Sequence, residues 1–115
     1  MRMDKAATQG WIQFMAQHKL ERGYFVEAFY NCGLAYQKMG RGAQAVAWFE
    51  KTLVLKPDYL EAYFNRGVVL RWLGQCDAAM LSYERAICVN PRYAEAYFNL
   101  ADLLRTSDRP QESIA

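Results

Sequence analysis

Glu27-Ala28-Phe29-Tyr30-Asn31, Glu61-Ala62-Tyr63-Phe64-Asn65 and Glu95-Ala96-Tyr97-Phe98-Asn99 are one pattern written three times at a period of 34 residues. Leu55-Lys56-Pro57 and Val89-Asn90-Pro91 recur at the same interval. A period between about 20 and 50 residues signals a stacked array, in which no unit buries its apolar face alone and each leans on its neighbours. The period divides the chain into a unit at 26–59, a second at 60–93 and a partial third at 94–115, all within one structural domain.

Each unit reads as a helical hairpin. Val26–Met39 carries apolar residues at helical spacing and stops at Gly40, a residue free to take the left-handed conformation that closes a helix. Gln44–Leu55 repeats the spacing and ends before Pro57, whose missing N–H forbids continuation. Leu60–Leu73, Gly74, Asp77–Val89 and Pro91 write the same hairpin again. Ala94–Arg105 begins a third and meets Ser107-Asp108, where Asp tolerates the turn less well than Gly. Short turns are expected at 39–42, 56–58, 73–75 and 90–92.

Residues 1–25 do not make a whole unit. Slid by one period, Ile12 falls on Val46, Phe14 on Trp48, Leu20 on Val54 and Gly23 on Pro57, so the segment reads as the second helix of a degenerate, capping half repeat. Trp11 stands where the later units have Ala45 and Ala79, and is expected to fill the space of a missing first helix. At the other end Gln111–Ala115 breaks off inside a second helix with no polar cap. Open ends of a solenoid are sticky. The chain therefore reads as a fragment or as one partner of an end-to-end homo-oligomer.

The unit resembles a tetratricopeptide repeat, with Phe29, Cys32-Gly33, Tyr36, Ala45, Phe49 and Pro57 in the first copy. The second has Tyr63, Arg66-Gly67, Leu70, Ala79, Tyr83, Ala86 and Pro91, and the third Tyr97, Leu100-Ala101 and Leu104. The resemblance covers residues 26–115 and implies an all-α, right-handed α-solenoid. It also implies a protein-interaction module that is not an enzyme. Arg66 in place of Leu and Thr52 in place of Ala predict looser packing at those two points.

Composition agrees with an ordinary folded domain. Of 115 residues, 53% are apolar and 23% charged, enough to build one core. Fourteen Lys and Arg against twelve Asp and Glu, interspersed without runs, give no reason to expect nucleic acid or a membrane surface as partner. The stretch Ala6–Lys19 is broken by Thr8, Gln9, Gln13 and Gln17 and fits neither a spanning helix nor a secretory leader, which leaves the cytoplasm as the expected location. Cys32, Cys76 and Cys88 lack paired spacing and the single histidine, His18, is distant from all three, so no metal, cofactor or cysteine nucleophile is expected. They read as small apolar residues. Glu61 and Glu95 stand on successive repeats without a nucleophile or phosphate loop, which argues against catalysis.

Function must then lie on the helix face that packing does not use. At about 100° per residue, Phe29, Cys32, Gly33 and Tyr36 share one side of the first helix, and Glu27, Tyr30, Asn31, Leu34 and Lys38 share the other. The second side lines the concave groove in tetratricopeptide arrays. Its rungs are Glu27, Glu61 and Glu95; Tyr30, Phe64 and Phe98; Asn31, Asn65 and Asn99; Leu34, Val68 and Asp102; Lys38, Trp72 and Thr106. Gln37, Arg71 and Arg105 stand at one border. A carboxamide offers both a donor and an acceptor, so an Asn column suits the backbone of an extended peptide whatever its side chains. The resemblance adds that O-GlcNAc transferase arrays use such a ladder. Glu in the neighbouring rungs disfavours capture of a carboxylate and favours a neutral or basic protein segment. Trp72 is the expected anchor, and Trp48, on the convex side, is not expected to take part. The competing reading is a scaffold that assembles through its ends or its convex face.

Overall fold

The structure is a computed structural model that describes residues 19–106 together with Gly10 and Gln13. Five helices make up the described array: α1 (Lys19–Lys38), α2 (Gly42–Leu55), α3 (Leu60–Trp72), α4 (Cys76–Val89) and α5 (Ala94–Thr106). No strand occurs among the described residues. α1 with α2 and α3 with α4 form hairpins, α3 packs on α2, and α5 packs on α4, which makes an all-α solenoid.

Both intra-hairpin turns close on glycine. Gly40 and Gly74 have φ of 75° and 78°. The Gly40 amide donates to the Gln37 carbonyl at 3.0 Å and the Arg41 amide to Tyr36 at 2.9 Å, while Gly74 and Gln75 repeat the pair on Arg71 and Leu70. This is the Schellman closure, which satisfies the last carbonyls of a helix and needs a left-handed residue at its centre. The turns between hairpins rely on proline instead. Lys56 and Asn90, each one residue before Pro, are extended, and the Tyr59 and Tyr93 amides donate back to their carbonyls at 3.1 and 3.0 Å.

Small residues face large ones where helices cross. Ala45, Ala62, Ala79 and Ala96 are fully enclosed, as are the Phe49 and Tyr83 rings. Phe49 lies against Gly33 and Tyr83 against Gly67, so closely that a Cβ on either glycine would approach the ring to 2.4 or 2.7 Å. The main core runs through α2, α3, α4 and α5, and a second cluster of Val26, Phe29 and Leu55 joins α1 to α2.

Three expectations need correction. The first helix is already formed at Lys19, well before Val26, and Gly23 lies inside it with no described residue near the place of its missing Cβ. Glycine in a helix interior costs only about 1 kcal/mol, and lacks the steric veto that proline imposes at the aligned position 57. The Trp11 expectation, and the Ser107-Asp108 turn, lie outside the described residues. Arg66 and Thr52 do not loosen the stack. Arg66 donates to Glu50 Oε2 at 2.8 Å and to the buried Ser82 Oγ at 2.6 Å, tying α3 to both α2 and α4. Thr52 is fully buried with its hydroxyl on the Trp48 carbonyl at 2.8 Å. Finally, Cys88 is exposed rather than an apolar filler, while Cys32 and Cys76 are partly covered.

Candidate functional site

The face of α1, α3 and α5 that bears the rungs is positioned by the hairpins beneath it. Glu27, Glu61 and Glu95 occupy the first turn of each repeat pattern and are all exposed. A carboxylate in a helix's first turn is favoured by the helix dipole, which accounts for Glu61 and Glu95 in α3 and α5. α1 begins well before Glu27, so that residue has no such local reason.

The aromatic rung is not uniform. Tyr30 is half-buried, its ring 5.7 Å from Phe49 and 5.0 Å from Tyr59. Phe64 has the same environment, 5.9 Å from Tyr83 and 5.3 Å from Tyr93. Phe98 has no ring over it among the described residues and is 72% exposed. Tyr30 and Phe64 are thus floor rather than free anchors, roofed by Tyr59 and Tyr93 from the next turn. Sequence reasoning missed those two tyrosines, though the signal was present: Phe25, Tyr59 and Tyr93 recur at the same period, two residues before each Glu.

Electrostatics draws these groups together. Burial raises the Tyr30 hydroxyl above its ordinary value, and the neighbouring Tyr59 and Glu61 raise it further. Tyr59 is raised by burial, then by Glu61 and Glu27, and Tyr93 by burial, then by Glu95 and Glu61. Glu61 therefore acts on rings from successive repeats. The face near Glu61 sets a negative charge beside tyrosine hydroxyls that stay protonated.

The Asn column also differs rung by rung. Asn31 is exposed, Asn65 Nδ2 donates to Tyr30 Oη at 2.7 Å, and Asn99 Nδ2 donates to the Glu95 carbonyl of its own helix at 2.8 Å. At the border, Arg71 is not free. It donates to Asp102 at 2.7 Å and to Thr106 Oγ1 at 3.2 Å, and Arg105 pairs with the same carboxylate. The Arg71 hydrogen bond is the main reason the Asp102 carboxyl is held below its ordinary value. Trp72, beside this network at the end of α3, is 59% exposed. On the opposite side Trp48 is only half-exposed, packed edge-on against Phe29 at 5.4 Å with Lys51 Nζ 3.9 Å over its ring.

Among the described residues no group of three or more His, Cys, Asp and Glu comes together as a metal would require. No helix among them is long and apolar enough to cross a membrane.

Comparison with known proteins bears on the repeat. A family model described as "Tetratricopeptide repeat" matches residues 26–59, and one described as "TPR repeat" matches residues 70–105. Among solved structures, a crystal structure of MamA superposes with a TM-score of 0.75 at 25% identity, over 77% of this chain and 52% of that one. A second MamA structure gives 0.75 and 25% over 77% and 49%. The chain thus spans about half the length of the solved structures it matches. Comparison of the sequence with curated proteins gives no match.

Proposed function

The chain belongs to the tetratricopeptide repeat family, whose arrays are generally protein-interaction modules, and on that premise we propose that it binds an extended segment of a partner protein along the face of α1, α3 and α5. The observation that carries the reading is that this face keeps polar and aromatic groups that packing leaves open. Glu27, Asn31, Glu61, Glu95 and Phe98 are exposed on it, above a half-covered apolar floor of Tyr30, Leu34, Phe64 and Val68. Trp72 and Arg71 close one border, and Asn65 and Asn99 keep carbonyl oxygens without a protein partner among the described residues. Three carboxylates beside the tyrosine hydroxyls favour Lys or Arg in the ligand over Asp or Glu. Affinity is expected near micromolar, because a flexible segment is ordered on binding.

The test is a selection of peptides from a random library on the immobilised protein, repeated with Asn31→Ala and with Arg85→Ala. Asn31 is exposed on the proposed face and Arg85 is exposed on α4. Trp48 would make a poor control, since it supports Phe29. The reading requires basic peptides whose binding Asn31→Ala weakens and Arg85→Ala leaves alone. A second reading, self-assembly through the ends, draws on Tyr97 and Phe98, exposed at 48% and 72% on α5. Leu100 and Leu104, by contrast, are partly covered against the core. Sedimentation that shows mass rising with concentration, with no dependence on Asn31, favours that reading.

A further inference from the structure

The three asparagines share one repeat position yet not one partner. Asn65 reaches across the junction between hairpins to Tyr30 Oη at 2.7 Å, whereas Asn99 turns back to the Glu95 carbonyl at 2.8 Å. Tyr30 stands 35 residues before Asn65, and Phe64 holds the same place before Asn99. The two rings sit alike, each between the buried ring of its hairpin and the tyrosine just before the next helix. At that repeat position the two rings differ by one oxygen atom, the Tyr30 hydroxyl. Without it Asn99 has no acceptor across the gap and falls back on the carbonyl four residues behind, the usual local alternative for a short polar side chain.

Resting on the groove reading above, we infer that the Tyr30 hydroxyl is a positioning group that latches Asn65 across the first junction and so makes the central rung a reader of ligand N–H groups. A carboxamide is planar, with a donor end and an acceptor end. Tyr30 takes one of the two Nδ2 hydrogens and fixes the plane of the group, which leaves Oδ1 held on the other side, without a partner among the described residues. Glu61 adds a carboxylate acceptor to the same face, close enough to raise the Tyr30 hydroxyl. A matching ligand segment carries donors in its backbone and in Lys or Arg side chains. The chain's own net charge is +2, so attraction of a cationic segment must be local to this face.

The latch is tested without any ligand by following the side-chain amide signals of Asn65 and Asn99 in nitrogen-15 NMR spectra of the wild type, Y30F and F64Y. Both substitutions keep the ring. Y30F should shift the Asn65 signals and speed their hydrogen exchange while leaving Asn99 in place, and F64Y should move Asn99 instead. Asn65 signals that ignore Y30F overturn the latch. The preference is tested by fluorescence titration with a capped peptide alternating Lys and Ala, and with its analogue bearing ester linkages in place of alternate amides. The wild type should bind the amide peptide about fivefold tighter, the worth of one hydrogen bond of this kind, and Y30F should show a smaller ratio. Equal affinity of the wild type for both peptides overturns the N–H preference but leaves groove binding standing. Failure of both to bind overturns the groove reading, and the Asn65 signals still decide the latch.

Discussion

Replacing Gly33 by alanine should destabilise the array, although the same change inside a helix ordinarily helps. In an open helix Gly→Ala gains about 0.5–1 kcal/mol, from the lower backbone entropy of the unfolded chain. At Gly33 the added methyl would stand 2.4, 2.6 and 3.0 Å from three carbons of the Phe49 ring. That ring is fully buried and packed against Tyr30, so it cannot swing aside as a surface side chain would. Overpacking of this kind costs about 1–3 kcal/mol. The repulsion outweighs the entropy gain, and the net loss should be about 1–2 kcal/mol. Gly23→Ala is the matched control, in the same helix with no described residue within 4 Å of the new methyl, and should stabilise by about 0.5 kcal/mol. Urea denaturation followed by helical circular dichroism reads both, and G33A combined with Phe49→Leu should recover part of the loss. A G33A protein that melts at or above the wild type, or a G23A protein that falls with it, would refute the packing argument.

Other outcomes follow from the same geometry. Gly67→Ala should behave like Gly33→Ala, since its methyl would meet Tyr83 at 2.7 Å. Arg66→Leu restores the residue common at that repeat position, yet should cost about 1–2 kcal/mol by leaving the buried Ser82 hydroxyl unpaired, and adding Ser82→Ala should restore most of it. Stability should decline as pH rises above the ordinary tyrosine value of 10.0, because Tyr30, Tyr59, Tyr83 and Tyr93 all have raised folded values. Their protonated forms stabilise the fold below that pH, and ionisation removes the contribution as pH passes the folded values; a melting series from neutral to alkaline pH reads it. Changing Tyr97 and Phe98 together to serine should lower any concentration-dependent mass seen in sedimentation.

Much of the architecture is legible because repetition turns a weak local signal into a strong one. Gly40 and Gly74, or Pro57 and Pro91, each mark a turn, and their common interval tells which helices pair. That α1 runs through Gly23 was not legible, since a glycine can end a helix or sit within one. The roles of Arg66 and Thr52 were hidden for a related reason: their partners, Glu50, Ser82 and the Trp48 carbonyl, are set by helix packing and not by the repeat pattern. Within the candidate site the rungs could be written from the period alone. Their state could not, because whether Asn65 is free depends on a hydroxyl 35 residues away, and whether Phe64 is open depends on Tyr93.

The central claim is that the α1, α3 and α5 face is where a partner binds. Backbone amide mapping by NMR, during titration with the basic peptide recovered from the library selection, tests it most directly. Shifts should concentrate at Glu27–Leu34, Glu61–Val68 and Glu95–Asp102, with Ala47, Glu84 and Arg85 on α2 and α4 unmoved. Shifts confined to those α2 and α4 positions would contradict it.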